Sequence, residues 1–425
     1  MNQSFKLVLL GTGFLAITGF TFALHAEEPN EIQESPGITD SPGNPDVPRR
    51  LHIGDEGWVG VGARILPIFI YNDSDLVSDE MEFRMRRARV FVRGDLVEWA
   101  GFSVATEVSG GNVLLIDSYL HFKPKDEVQF FVGRHLSPGP GRQSGTTSAA
   151  ALMAIDRPNF GFKNLSFGGR AMTAFATSTL DDTDSGLRMD AQVRDEGVTF
   201  WGDHSRTNDL HFKYYLGVYD GWDRSPARDN GDLRYSGRAA VNFGDHENGF
   251  FNSSTYLGLK RTIGLGASFD AQNRVATEAV TESSVNYRYW TVDLFAEQPV
   301  GWGSLTFEAA YGQLDLDKGD NILLDRNGDP LGGVPGRQAQ GDGFYLQAGY
   351  YMPGIKIQPW ILYEEWDSAA SGSVGSYTNA RIGATYFARG HNLNFKIGYE
   401  RTRLGWSTDG DRTSNSIVTG AYLNF

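Results

Sequence analysis

From Trp58 to Phe425 apolar and polar residues alternate in short runs, and no segment keeps a long helical spacing. Period two sends successive side chains to opposite faces of a strand. The alternation predicts sixteen strands, at 58–71, 83–94, 101–109, 113–123, 128–136, 194–202, 210–220, 233–243, 259–270, 285–298, 304–316, 343–352, 356–368, 377–388, 392–403 and 414–425. The run FRMRRARVFVRG at 83–94 shows the pattern best: Arg87, Arg89 and Arg93 fall on one face, and Ala88, Val90 and Val92 on the other. A strand between hydrocarbon and a watery lumen has this pattern; read alone, the stretch also suits a solvated basic edge strand. In the fourth strand Leu114, Ile116, Ser118, Leu120 and Phe122 oppose Asp117, Tyr119, His121 and Lys123.

The connections sort in the same way. Short turns at 124–127, 202–209, 299–303, 353–354 and 388–392 alternate with longer polar loops at 72–82, 137–193, 221–232, 271–284, 317–342 and 404–413. Short turns at one rim and long loops at the other are the organisation of an outer-membrane barrel. Two connections break the rule: 110–112 is short where a loop is due, and 244–258 is long where a turn is due. Ile417, Thr419, Ala421, Leu423 and Phe425 share one face of a last strand that ends on an aromatic residue. The pairs Phe69/Tyr71, Tyr350/Tyr351 and Tyr386/Phe387 at strand ends suit interfacial girdles. A secreted β-sandwich or propeller is the competing architecture; the propeller is weakened because no repeat of fixed period occurs.

Composition narrows the picture further. The chain has 425 residues, no cysteine and a formal charge of −14. That excludes a disulfide scaffold and a thiolate metal site and argues against nucleic acid as a partner. Residues 1–26 read as an export signal, with Lys6, an apolar run from Leu7 to Leu24 and Ala26 at the cut. Residues 27–56, rich in proline and acids, read as a disordered periplasmic N-terminal segment before a barrel domain at 57–425. The expected surroundings are outer-membrane lipid and lipopolysaccharide.

Parity assigns twelve cations to the lumen, namely Arg64, Arg87, Arg89, Arg93, Lys123, Lys213, Arg234, Arg238, Lys260, Lys356, Arg381 and Lys396. Seven acids share that face: Glu107, Asp117, Asp293, Glu297, Glu308, Glu364 and Glu400. A confined lumen of one sign concentrates counter-ions, and rings of Arg or Lys suit anion pores. The same arginines could instead pair with lumen carboxylates and brace the wall. Loop 137–193 is long enough to fold inward and narrow a pore; its stretch AAALMAIDRPNF is apolar enough to pack, and it carries Arg142 and Arg157. LDRNGDP, around Asp325, Asn327 and Asp329, resembles half a calcium loop but has Pro330 where the glycine belongs. No HExxH or GxSxG spacing occurs, so no metal, cofactor or catalytic site is expected. A barrel-embedded esterase or phospholipase and a non-conducting adhesion barrel remain rival classes.

Seven stretches, in order, resemble the phosphate-selective porin O and P family of Gram-negative outer membranes. They are RMRRARVFVRGDL, IDSYLHFKP, ALMAIDRPNF, VRDEGVTFWG, YYLGVYDGW, RYSGRAAVNF and IGATYFARGHNLNFKIGYE. The resemblance implies a sixteen-stranded trimeric barrel with loop three in the pore, passing small anions, phosphate or polyphosphate among them, or serving as a general diffusion porin. It implies a cationic ladder at Arg86, Arg87 and Arg89, an acidic neighbour at Asp117, and candidate roles for Arg194 and Arg238. The pore-lining set is then Arg87, Arg89, Arg93, Asp117, Tyr119, Lys123, Arg194, Arg234, Arg238 and Arg381, with Arg142 and Arg157 on the constriction loop. Arg86 and Arg194 share parity with lipid-facing neighbours, so each needs a bulge or a place at the rim.

Overall fold

The computed structural model describes residues 50–74, 80–109, 112–139, 141–142, 152–157, 194–207, 209–221, 232–317, 323–324, 341–368, 376–405 and 412–425. All lie in one compact unit, Gly37–Phe425. The segments 1–26 and 27–49 and the calcium-like stretch Asp325–Asp329 fall outside the described residues.

The strands are β1 (Arg50–Ile53), β2 (Gly57–Ser74), β3 (Glu80–Val97), β4 (Ala100–Ser109), β5 (Asn112–Lys125), β6 (Val128–Leu136), β7 (Arg194–Thr207), β8 (Leu210–Tyr219) and β9 (Arg234–Gly244). There follow β10 (Thr262–Glu278), β11 (Ser284–Val300), β12 (Gly303–Leu316), β13 (Leu323–Leu324), β14 (Gly341–Tyr351), β15 (Ile357–Ser368), β16 (Ser376–His391), β17 (Leu393–Gly405) and β18 (Arg412–Asn424). Without the short β1 and β13, sixteen antiparallel strands remain. Each pairs with its neighbour, and β18 pairs with β2, Asn424 opposite Arg64, to close the barrel. All sixteen correspond to strands predicted from the alternation. Two differences are instructive. Residues 50–53, placed in the disordered segment, instead pair with 57–60 as a tight hairpin too short to show a period. The loop expected at 271–284 is mostly strand, because β10 runs through a register shift between Gln272 and Ala276.

The burial pattern inverts that of a water-soluble protein. Val61, Ile65, Phe83, Val90, Leu216, Ile361 and Ile382 are exposed on the outer surface, whereas Arg234, Asp270, Glu308, Glu364 and Asn379 are fully buried inside. Only hydrocarbon outside the wall makes this arrangement favourable. Aromatic rings mark the short-turn rim: Trp99 stacks on Phe122, Phe122 on Phe130 and Phe130 on Phe200, at 6.3, 4.9 and 5.5 Å. Phe69–Phe83 and Trp290–Tyr311 mark the opposite rim. Phe387 leaves the expected girdle: the register shift between Tyr386 and Arg389 turns it inward against Tyr351 and His391. The protein is a β-barrel of the bacterial outer membrane.

Candidate functional site

Among the described residues, two inserted segments and two kinds of wall make up the interior. The first insert is residues 152–157 of the loop after β6. Leu152, Met153, Ala154 and Ile155 are buried, packed on Leu66, Ile68, Ile70, Trp360, Leu362, Val418 and Tyr422. A backbone inside the barrel needs partners for its carbonyls, and the wall supplies them. Lys396 donates to the carbonyls of Leu152 and Ala154, Thr385 to that of Met153 at 2.8 Å, and Tyr422 to that of Ile155 at 2.7 Å. Arg381 donates to the carbonyls of Asp156 and Arg157 at 3.3 and 3.0 Å.

The second insert is residues 245–261, between β9 and β10 on the short-turn rim, the connection that broke the length rule. Gly244 starts it with φ +91°, and a Cβ there would stand 2.3 Å from the Arg261 carbonyl, so only glycine fits. Phe250 packs inside on Phe131, Trp201 and Tyr215. The loop after β6 also meets the second insert through Arg142, which donates to both carboxylate oxygens of Glu247, at 2.9 and 2.6 Å, and to the Ser253 carbonyl at 2.7 Å. Burial alone would raise the Glu247 pKa, but the charges of Arg142 and Lys213 outweigh it and hold the group down at about 2.

The walls differ in charge balance. Along β9–β11 and β15–β17 the buried arginines meet carboxylates. Arg234 bonds both oxygens of Asp270 at 2.8 and 2.5 Å and approaches Asp195 at 3.4 Å. Arg238 clasps Asp293 with both of its terminal nitrogens, and Arg381 meets Glu400 at 2.7 Å and Glu364 at 3.3 Å. These three brace the wall. Along β2–β5 and β7 the arrangement is more crowded. Arg87 and Arg89 share one carboxylate, Glu107; Arg64 lies within electrostatic range of Arg87, Arg89 and Arg93; and Arg194 bonds Asp117 at 2.7 Å. Arg157 of the loop is pressed against the same group. Burial, then the charge of Arg87, with Arg194 and Arg89 adding to it, pushes its pKa down to about 9 against the opposing pull of Asp156.

The parity conflicts at two arginines resolve physically. Between Leu66↔Arg87 and Pro67↔Met85 the register shifts by one, so Arg86 is the extra residue of a β-bulge. It turns inward and grips Asp156 at 2.6 Å. Arg194 is the first residue of β7 and reaches Asp117 from the rim. Tyr119 stacks on Phe131 at 4.6 Å, on the same side of the lumen as Arg93. Two cations leave the lumen set. Lys123 pairs with Asp126 at the β5–β6 turn, and Lys356 is exposed in the β14–β15 turn. Asp195, Asp203 and Asp270 are buried carboxylates that the parity count missed, and Glu247 and Asp156 come from the inserts. With Arg86, Arg142, Arg157 and Arg194 added to the remaining ten cations, fourteen stand against these twelve acids, so the surplus of five falls to two, and the crowding of arginines is local to the β2–β5 and β7 wall.

Neither the family models nor the curated proteins searched contain a match to this sequence. Solved structures do match. An anion-selective porin from Comamonas acidovorans aligns over 87% of this chain and 100% of its own, at 14% identity and TM-score 0.55. The fold is that of outer-membrane porins. The outer-membrane channel DcaP of Acinetobacter baumannii aligns over 88% of this chain and 99% of its own, at 12% identity and TM-score 0.53. Salmonella typhi OmpF covers 89% and 100%, at 11% identity and TM-score 0.53.

Proposed function

We propose that this porin-fold barrel is a non-enzymatic diffusion channel that prefers small anions, with phosphate among its solutes, and that it belongs with the phosphate-selective porins its motifs resemble. The observation that carries this reading is the arginine wall. Among the described residues Arg64, Arg86, Arg87, Arg89, Arg93, Arg157 and Arg194 crowd around three carboxylates, Glu107, Asp117 and Asp156. Guanidinium forks match phosphate oxygens in pairs. A one-signed strip beside a low-dielectric wall raises the local concentration of counter-ions. Arg87, Arg89, Arg93, Arg194 and Arg157 are the anion-facing set, with Tyr119 beside them and Asp117 tuning the field. Arg234, Arg238, Arg381 and Arg142 hold the scaffold.

Residues 1–26 act as the export signal and 27–49 as the periplasmic lead, and the barrel assembles as a trimer in lipid and lipopolysaccharide; the resemblance and the export-signal pattern support these parts. Reversal potential in a salt gradient across a planar bilayer tests the function. Anion selectivity, with chloride current reduced by phosphate, is expected. A cation-selective channel would refute the charge reading and spare the barrel.

A further inference from the structure

The connection at 245–261 has 17 residues on a rim where 300–303 and 391–393 turn within a few. Extra length at a rim could hang in the periplasm. Here the chain turns inward and is held at every level. At its foot, His211 of β8 donates from Nε2 to the Gly244 carbonyl (2.8 Å), meets Ser205 Oγ through Nδ1 (2.9 Å), and stacks on His246 at 4.3 Å. His246 pairs with Asp203, and Lys260 donates to the His246 carbonyl. Higher up, Lys213 donates to the Glu247 carbonyl at 2.8 Å, and Tyr215 to that of Phe250 at 2.9 Å. Back at the short-turn rim, Glu297 accepts from the backbone N–H groups of Tyr256 and Gly258, while His391, from the far wall, bonds the Thr255 carbonyl at 3.0 Å. The segment thus spans from β8 to β16. Its Glu247 and Ser253 take the guanidinium of Arg142, and its Ser254 hydroxyl faces the Met153 N–H at 3.4 Å.

We propose that residues 245–261 are a second constriction element, entering the lumen from the periplasmic rim, and that Glu247 latches it to the extracellular loop through Arg142. Bore and solute choice are then set by two inserts locked to each other from opposite sides. Glu247 is the specificity-determining residue of the periplasmic insert: it places a carboxylate at the junction and cancels Arg142 there. The anion path accordingly runs on the β2–β5 side, where among the described residues the arginines outnumber the acids. This inference rests on the channel reading but has its own readout.

The test replaces 246–260 with a two-residue turn. Heat-modifiable migration confirms that the sixteen strands still close, and single-channel conductance is then recorded beside the parent. A rise of twofold or more is expected. A folded variant with parental conductance overturns the proposal and leaves the channel reading intact. A silent parent with a conducting variant upholds the proposal, making the insert a full plug, and sinks the reading of the resting chain as an open channel. Silence in both sinks both. If the shortened chain does not fold, Glu247→Gln keeps the shape and removes the charge that Arg142 holds. Its channels should flicker between the parental level and a larger one, and a steady parental level overturns the latch.

Discussion

Substituting Lys396 by Met tests what keeps the 152–157 insert in the lumen. Lys396 is buried, and its ammonium serves the carbonyls of Leu152 and Ala154. Leaving a buried acceptor unsatisfied costs about 1–3 kcal/mol, so Lys396→Met weakens docking by about 2–6 kcal/mol. Opposing this, Leu152, Met153 and Ile155 each contribute about 1.5–3 kcal/mol by burial, or about 4.5–9 kcal/mol together. The apolar side matches or exceeds the loss, so the single variant stays docked. Adding Tyr422→Phe strips the Ile155 carbonyl of its donor and brings the loss to about 3–9 kcal/mol. The two sides then nearly cancel, and the insert samples docked and undocked states. Chymotrypsin, which cuts after Leu152 or Met153 only when they are accessible, reads this in detergent without reference to conductance. The parent and Lys396→Met should resist, and the double variant should be nicked while its strands remain closed. Nicking of Lys396→Met at the rate of the double variant would show that apolar packing does not hold the loop. Full resistance of the double variant would show that the carbonyl donors do not.

Replacing Arg87 and Arg89 with Glu should move the reversal potential toward cation selectivity, whereas reversing the paired Arg238 should mainly impair folding; equal selectivity shifts from both sites would contradict the two-wall description. The Glu247 pKa lies below its ordinary value of 4.5, at about 2, so the latch is at full strength above pH 4.5 and is lost as pH falls through about 2. Pepsin should therefore cut at Phe250–Phe251 at pH 2 and spare it at pH 4, and cleavage independent of pH would remove the carboxylate from the explanation. Ile382 is 57% exposed on the lipid face, so Ile382→Arg should lower stability toward denaturant in refolding by about 2–4 kcal/mol, a loss that an inward-facing Ile382 would not give in this form.

The wall was legible because lipid and water impose the same alternation on every strand; β6, predicted at 128–136, occupies those residues. Features that break parity were not legible in detail. The bulge at Arg86 showed in the sequence only as a conflict, since one added residue flips every later side chain. Asp195 and Asp270 were missed although they lie on the inward faces of β7 and β10, because neither Asp195, between Arg194 and Glu196, nor Asp270, between Phe269 and Ala271, gives a local sign of the Arg234 that neutralises it 39 or 36 residues away. The 245–261 insert announced itself by length at the wrong rim, yet its partner Arg142 lies 105 residues from Glu247. Local pattern carries no information about such a meeting.

Pairing of β18 with β2 joins the final residues of the chain to its first long strand, Asn424 opposite Arg64. The wall is therefore incomplete until the last dozen residues have been delivered. Until then β2 and β17 each present an open row of backbone donors and acceptors, which hydrocarbon does not tolerate. The inserts are outside that constraint, since each enters by an open rim and can dock before or after the seam shuts. Loss of the terminal residues should leave β2 and β17 as exposed edges, a target for quality-control proteases.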